Sequence, residues 1–467
     1  MNGQSRINQR ALSLALSSLL CLGRRTVTGL LSTCGQQVQD WSAAYRLFSR
    51  HRIDADSLFG GVRRHAAALI PDGQPICLAV DDSLFPRTGA KIPGTAWRRD
   101  PLGPKFHTNF IRAQRFLQFS VGVPVSPQAE TRRMIPIDFL HCPTPAKPGK
   151  KATEDERKLY RQDCRAHRLT AQASARLESL CASLPPDCQG QPRPVHLLAD
   201  GAYTNGALLK HLPPQATFIG RIRKDAKLHC LPPATTQTHR GRRLLYGPVA
   251  PTPEQVRTDE AHPWQTISVF AAGARHECRV KTMTDLLWRT AGAGLLLKLV
   301  VINPIHYRPR KGSKLLYRQP AFLICTDPHL DTQQIVQQYL WRWEVEVNFH
   351  EEKSLLGVGD AQVRAPASAQ SLPAFRIATY ALFLLAGIRA VSQVGNVPAL
   401  PPPKWSAGAQ PPRPSTQRLL HHLRAEVWGL GLGLGSNFSD FATPSHPAIK
   451  SEKFLPSLSS ALLYCNA

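Results

Sequence analysis

Acidic residues are scarce in this 467-residue sequence: 32 Asp and Glu stand against 58 Lys and Arg, a formal net charge of +26. That imbalance excludes little by itself, but it favours a polyanionic partner, nucleic acid first and an anionic membrane surface second. The eleven cysteines form no CxxC pair and are odd in number, which argues against a zinc ribbon and against a disulfide framework. They read as free thiols of a reducing cytoplasm. Past the N-terminal segment no apolar run reaches the expected length of a membrane span, and no internal repeat is found. What is there is the balance of a folded globular chain, 42% hydrophobic and 19% charged, long enough for two or three domains.

The run ALSLALSSLLCLG (Ala11 to Gly23) follows Arg6 and Arg10 and has the charged start of a secretory signal. No small-residue cleavage site follows, because the run ends in Arg24 and Arg25. Leu12, Leu16, Leu19 and Leu20 keep helical spacing, so a buried or partner-facing helix is expected instead. GRRTVTGLLSTCG and DWSAAYRLFSRHRID then give short helices punctuated by Gly and Asp, with Arg24, Arg25, Arg46, Arg50 and Arg52 open to phosphates. The pattern fits a helix-turn-helix or a charged surface of small helices equally well. Residues 1–70 are therefore read as a helical, basic DNA-binding region.

After Pro75 the period changes. ICLAVDD (Ile76 to Asp82) is a short apolar strand ending in two carboxylates, and FLQFSVGVPV with RRMIPIDFL reads as an antiparallel pair. A Pro- and Lys-rich loop leads into one long helix from Thr153 to about Ser183, where Thr153 and Glu156 fit a capping box. VHLLAD then reads as a strand ending at Asp200. Residues 71–217 form the first part of an α/β core on this reading, and 218–326 a β-rich insertion with a basic turn, HYRPRKGSK. Residues 327–392 return to the core with two helices, the second being the apolar PAFRIATYALFLLAGIRA. A Pro-rich linker, the helix TQRLLHHLRAEVWGL and a loose tail fill 393–467.

The segment YLWRWEVEVNFHEEK (Tyr339 to Lys353) reads as a helix with charges where apolar residues belong. At roughly 100° per residue, Tyr339, Arg342, Glu346 and Lys353 share an arc of roughly 60°, bordered by Trp343 and His350. Gln337, Glu344, Asn348, Glu351 and Glu352 fall on the opposite pole and read as a solvated face. The inward stripe suits a buried salt-bridge cluster. It equally suits a site that holds a metal ion and a phosphate together.

Asp81, Asp82 and Asp200 end strands, where side chains leave the packed layer, and Glu346 looks inward from its helix. An Asp after a strand is often only a turn residue or a cap. Together with Arg342 and Lys353 in so basic a chain, the carboxylates suit divalent-metal chemistry at phosphorus. Two such ions about 3.5 to 4 Å apart serve both hydrolysis and strand transfer, since only the nucleophile changes.

Tyr339, two residues, Arg342, three residues, Glu346, six residues, Lys353 resembles the Tyr-Arg-Glu-Lys signature of bacterial insertion-sequence transposases of the DDE class. LAVDDS and LLADGAYTN look like the two Asp motifs of that family, and the resemblance runs from about Ile76 to Leu385. It implies an α/β fold: a ribonuclease H-like mixed sheet core with a β-rich insertion, a helical N-terminal DNA-binding region and a helical C-terminal region. It implies Asp81, Asp200 and Glu346 as catalytic residues and ligands of two Mg²⁺ ions, with Mn²⁺ able to substitute. Tyr339, Arg342 and Lys353 would contact DNA phosphates near the cleaved end, while Arg24 and Arg25 are DNA-binding candidates of the N-terminal region. Whether Asp81 or Asp82 is the ligand depends on strand phase, and the family's usual Asp-x-Thr/Ser favours Asp81 through Asp81-Asp82-Ser83. Trp288 and Tyr317 are the aromatics of the insertion that fit a stack on a flipped base, a core role being the plainer one.

The implied function is a transposase that binds terminal inverted repeats in double-stranded DNA, cuts the element ends and joins them to target DNA. It would act as a homodimer on DNA, in the bacterial cytoplasm at the nucleoid, with no membrane partner. The alternatives are a catalytically inactive DNA-binding descendant and a ribonuclease H-like nuclease without strand transfer.

Overall fold

The computed structural model describes residues 3–104, 106–126, 130–233, 244–292, 294–307, 314, 316–394 and 414–431. Four helices open the chain, α1 (Gly3–Leu20), α2 (Val27–Thr33), α3 (Ser42–Ser49) and α4 (Ala55–Ala67). Thr26 and Asp54 cap α2 and α4 by accepting N–H bonds from their first turns. The leucine run of α1 buries Leu14, Leu19 and Leu20, whereas Leu12 and Leu16 face outward. Its inward face is thus shifted from the one the spacing predicts.

Strands β1 (Ile76–Pro86), β2 (Ala96–Arg99), β3 (Phe110–Pro124) and β4 (Arg132–His141) follow. The single helix expected up to Ser183 is two, α5 (Glu154–Ala166) and α6 (Leu169–Ser183). The Thr153–Glu156 capping box does form, but the backbone of Arg168 is extended and ends the first run. Next come β5 (Val195–Ala199), α7 (Gly206–Leu209), β6 (Ala216–Arg221), α8 (Pro253–Thr258), β7 (Gln265–Ala271), β8 (Ala274–Leu286) and β9 (Leu297–Ile302). A short ribbon, β10 (His306–Tyr307) with β11 (Leu316–Tyr317), precedes β12 (Ala321–Cys325). Four helices close the described chain: α9 (Thr332–Trp341), α10 (Glu344–Ser354), α11 (Pro366–Val394) and α12 (Thr416–Gly431). Most of the basic turn after Tyr307, the Pro-rich segment 395–413 and the tail 432–467 lie outside the described residues.

Ten strands form one mixed sheet in the order β2-β3-β1-β5-β6-β12-β9-β8-β7, with β4 also paired to β3. The pairs β1–β5 and β5–β6 are parallel, and the other pairs of this sheet are antiparallel. The strands of 218–326 therefore extend the central sheet, and the division at 217/218 falls inside β6.

Alternation of side chains separates the two faces of the sheet. Ile76, Leu78 and Val80 of β1, with Val195, Leu197 and Ala199 of β5, pack under α4, α6 and α11. Cys77 and Ala79, with Leu198, pack under α9 and α10. Helix α11 is long and apolar enough to cross a membrane by length and composition, contrary to the expectation from sequence, but 67% of its most apolar window is buried. Arg376 in mid-helix hides that length in the sequence. In the fold its guanidinium donates to the carbonyls of Arg25, Gly357 and Leu356.

Candidate active site

The last registered pair of the parallel strands β1 and β5 is Val80 with Ala199. Asp81 and Asp200 are the next residue on each strand. Asp81 is in phase with Cys77 and Ala79, Asp200 with Leu198, so both belong to the face that α9 and α10 cover. Strand β1 does not end at Asp82 as expected but continues to Pro86 along β3, while the chain of β5 turns away through Asp200. The turn leaves Asp81 at the point where β1 loses its strand partner on the β5 side. Asp200 anchors it, its Oδ1 accepting from the amides of Ala202 (2.9 Å) and Tyr203 (3.3 Å). The turn-residue role is therefore real for Asp200.

Asp82 points to the opposite face. It accepts from the Tyr203 hydroxyl at 2.8 Å and pairs with Arg115 Nε at 3.5 Å.

The helix expected through Tyr339–Lys353 is broken. α9 ends at Trp341 and α10 begins at Glu344, and the amides of Arg342, Trp343, Val345 and Glu346 each bond three residues back. This tighter 3₁₀-like turn aims Arg342 at β1. Arg342 is 8% exposed; its Nη1 lies 3.3 Å from Asp81 Oδ2 and its Nη2 3.1 Å from Glu346 Oε1. Its guanidinium also stands over the Tyr339 ring, 5.6 Å from the centroid. Burial pushes the Asp81 carboxyl up to about 7; Arg342 pulls it down, and Asp200 adds to the rise. Burial also works against the charge of Arg342, but Tyr339, Asp81, Glu346 and Asp200 together hold it above the ordinary guanidinium range.

Lys353 Nζ donates to Ser83 Oγ at 2.6 Å and lies 5.3 Å from the centre of the Phe85 ring. Helix α10 and the turn before it thus run along β1, with Arg342 of the turn at Asp81 and Lys353 of the helix at Ser83, two residues on.

The far side of α10 is not solvated. Asn348 and Glu352 are fully buried and Glu351 is 7% exposed, because β4 and α11 pack there. Arg133 of β4 donates to Glu351, to the Tyr380 hydroxyl (3.1 Å) and to Thr416 Oγ1 (2.8 Å), and it pairs with Glu344 at 3.5 Å. Asn348 donates to the Met134 carbonyl at 2.8 Å. Among the described residues, neither oxygen of Glu352 has a well-formed hydrogen bond. Burial pushes its carboxyl up to about 8, with the Gln118 side chain the largest influence in the other direction. Gln118 is the cross-strand partner of Asp81 and shares its face of the sheet, so this carboxyl lies beside the site. Trp343 and His350, expected to border the inward stripe, are exposed.

Arg24 is exposed, but Arg25 is only 5% exposed, against the expectation of a phosphate contact. Its amide bonds Asp360 Oδ2 at 3.0 Å and its carbonyl accepts from Arg376, which turns the residue into the fold. Trp288 is half-buried against the core, and the side chain of Tyr317 lies outside the described residues.

Among the described residues, no three His, Cys, Asp or Glu side chains stand close enough to share a metal ion. The Arg342 guanidinium links two of the expected ligands instead. The donor chemistry nevertheless fits a hard divalent cation, since Asp81, Asp200 and Glu346 offer oxygen only. The half-buried Asp81, its carboxyl raised by desolvation, would ionise beside such a charge.

A family model described as DDE superfamily endonuclease matches residues 4–291. The match takes in Asp81 and Asp200 and ends before α9 and α10. No curated protein matches the chain.

Proposed function

We propose, on the premise that this chain belongs to the DDE superfamily endonucleases, that it is an insertion-sequence transposase whose cutting centre is Asp81, Asp200 and Glu346. Family and sheet together make it a nuclease-type enzyme with a ribonuclease H-like α/β fold. The finer reading rests on one observation above all. Two aspartates leave adjacent parallel strands side by side, on the face where Arg342 brings in Glu346.

Two Mg²⁺ ions, or Mn²⁺ in their place, would supply Lewis-acid stabilisation of the attacking and leaving oxygens at phosphorus. The three carboxylates would hold them. Arg342 and Lys353 would bind phosphates of the cleaved strand, Arg342 exchanging its carboxylate partners for a phosphate. Tyr339 would keep Arg342 oriented through its ring. Water in the first step and a 3′-hydroxyl in the second would use the same centre.

Bringing two element ends together calls for at least a dimer on double-stranded DNA, and the setting is the bacterial nucleoid. Exposed Arg24, Arg50 and Arg52 of the helical N-terminus would take further phosphates.

One observation favours an inactive DNA-binding descendant: Arg342 sits between Asp81 and Glu346, and no three described acids share a metal position. Cleavage and joining of labelled terminal-repeat DNA separates the readings. Joined products support the transposase, nicks without joining a nuclease, and binding alone the inactive descendant.

A further inference from the structure

β2 is an edge strand, paired to β3 through Trp97–Arg112 and Arg99–Phe110. Cross-strand partners point the same way, as do residues two apart on a strand. Trp97, Arg99, Phe110 and Arg112 therefore share one face, with aromatics on one diagonal and arginines on the other. Trp97 is 67% and Phe110 58% exposed. Arg112 is held in place by Thr95 Oγ1 at 3.0 Å and the Ala90 carbonyl at 2.7 Å. Large aromatics left in water on a rigid ribbon, each beside a guanidinium, fit a ligand that carries both flat faces and negative charge.

Parity along β3 sets the position of this patch. The β1–β3 register runs unbroken from Leu78–Val121 to Pro86–Ala113. Phe110 and Arg112 thus point to the same side as Gln118, the partner of Asp81. Six residues of strand separate Arg112 from Gln118, at most ~20 Å or about six base-pair steps.

We propose that the β2–β3 ribbon is a stacking platform for unpaired DNA bases beside the cut, with Trp97 and Phe110 under the bases and Arg99 and Arg112 on the flanking phosphates. The proposal rests on the DNA-cutting role above. Diagonal neighbours on paired strands stand about 7–8 Å apart, roughly twice the 3.4 Å step of stacked bases. The two rings can therefore take successive bases only from a strand drawn out of its stack. Stacking on aromatics is sequence-tolerant, because every base has a flat face.

The test uses full-length protein and two fluorescein-labelled probes, a fully paired duplex and the same duplex with an unpaired fork, in titrations of wild type, Trp97→Ala, Phe110→Ala and Trp97→Tyr. The platform predicts a loss of at least about fivefold on the forked probe for each alanine variant, little change on the paired duplex, and recovery with Trp97→Tyr. Equal losses on both probes, or none on the fork, would overturn the platform while wild-type duplex binding leaves the DNA-cutting role standing. Wild type that binds neither probe would overturn both. Unchanged DNA binding with a shift in sedimentation of the free alanine variants would make the face an interface between copies of this chain.

Discussion

Arg342 Nη1 lies 3.3 Å from Asp81 Oδ2, although 261 positions separate the two residues along the chain. The contact closes α9 and α10 onto β1, and its geometry depends on the 3₁₀-like turn between the helices. A guanidinium so enclosed cannot easily reach solvent, and its Nε has no hydrogen-bond partner among the described residues. Asp81, Glu346 and Arg342 are therefore coupled: whatever binds one changes the electrostatics of the others.

The cations of this face should reveal themselves in salt dependence. Lys353→Ala is expected to weaken duplex binding and lower the slope of log K against log salt by about one, the release of one phosphate contact. Titrations at several salt concentrations check it. An unchanged slope would assign Lys353 to Ser83 alone.

On the buried side of α10, Arg133 meets Glu351, Tyr380 and Thr416. Arg133→Met leaves the Glu351 carboxylate buried without its cation, at an expected cost of about 3–5 kcal/mol in unfolding free energy. Urea melts measure it. Changing Glu351→Leu as well should recover much of the loss, because the orphaned charge is then gone.

Glu352 makes stability depend on pH. Its carboxyl is raised from an ordinary 4.5 to about 8, chiefly by burial. Between those values the native protein keeps a proton that the unfolded chain has released, so this group's contribution falls as pH rises and levels off above about 8. Glu352→Gln should match wild type below about pH 4 and exceed it at pH 8, the gap widening by up to about 1.4 kcal/mol per pH unit. Parallel stability curves for the two proteins would contradict the buried neutral acid.

Much of this site was legible in the residues. A short apolar run marked β1, strand-like runs marked β3, β4 and β5, the Thr153–Glu156 box marked a helix start, and the spacing of Arg342 and Glu346 marked a pair that forms. Local sequence could not show what distant elements supply. Glu351 looks like a surface residue until Arg133 arrives from 218 positions away, and Arg25 looks like a phosphate ligand until Arg376 takes its carbonyl. The break after Trp341 carries no Gly or Pro to announce it; it shows only in the three-residue bonds of the turn and in the long-range contact of Arg342 that accompanies them. The aromatic face of β2 and β3 was missed because a four-residue edge strand leaves only two outward positions, and the pattern emerges only in the cross-strand register.

The most direct measurement is cleavage of end-labelled DNA carrying the element's own terminal repeats, in Mg²⁺ or EDTA, by wild type, Asp200→Asn and Glu346→Gln, with duplex binding measured in parallel. The account predicts nicking at the repeat boundary that needs the metal, a loss of at least roughly a hundredfold in both variants, and near-normal binding. Full cleavage by Glu346→Gln in Mg²⁺ would contradict the assignment of Asp81, Asp200 and Glu346 as the cutting centre.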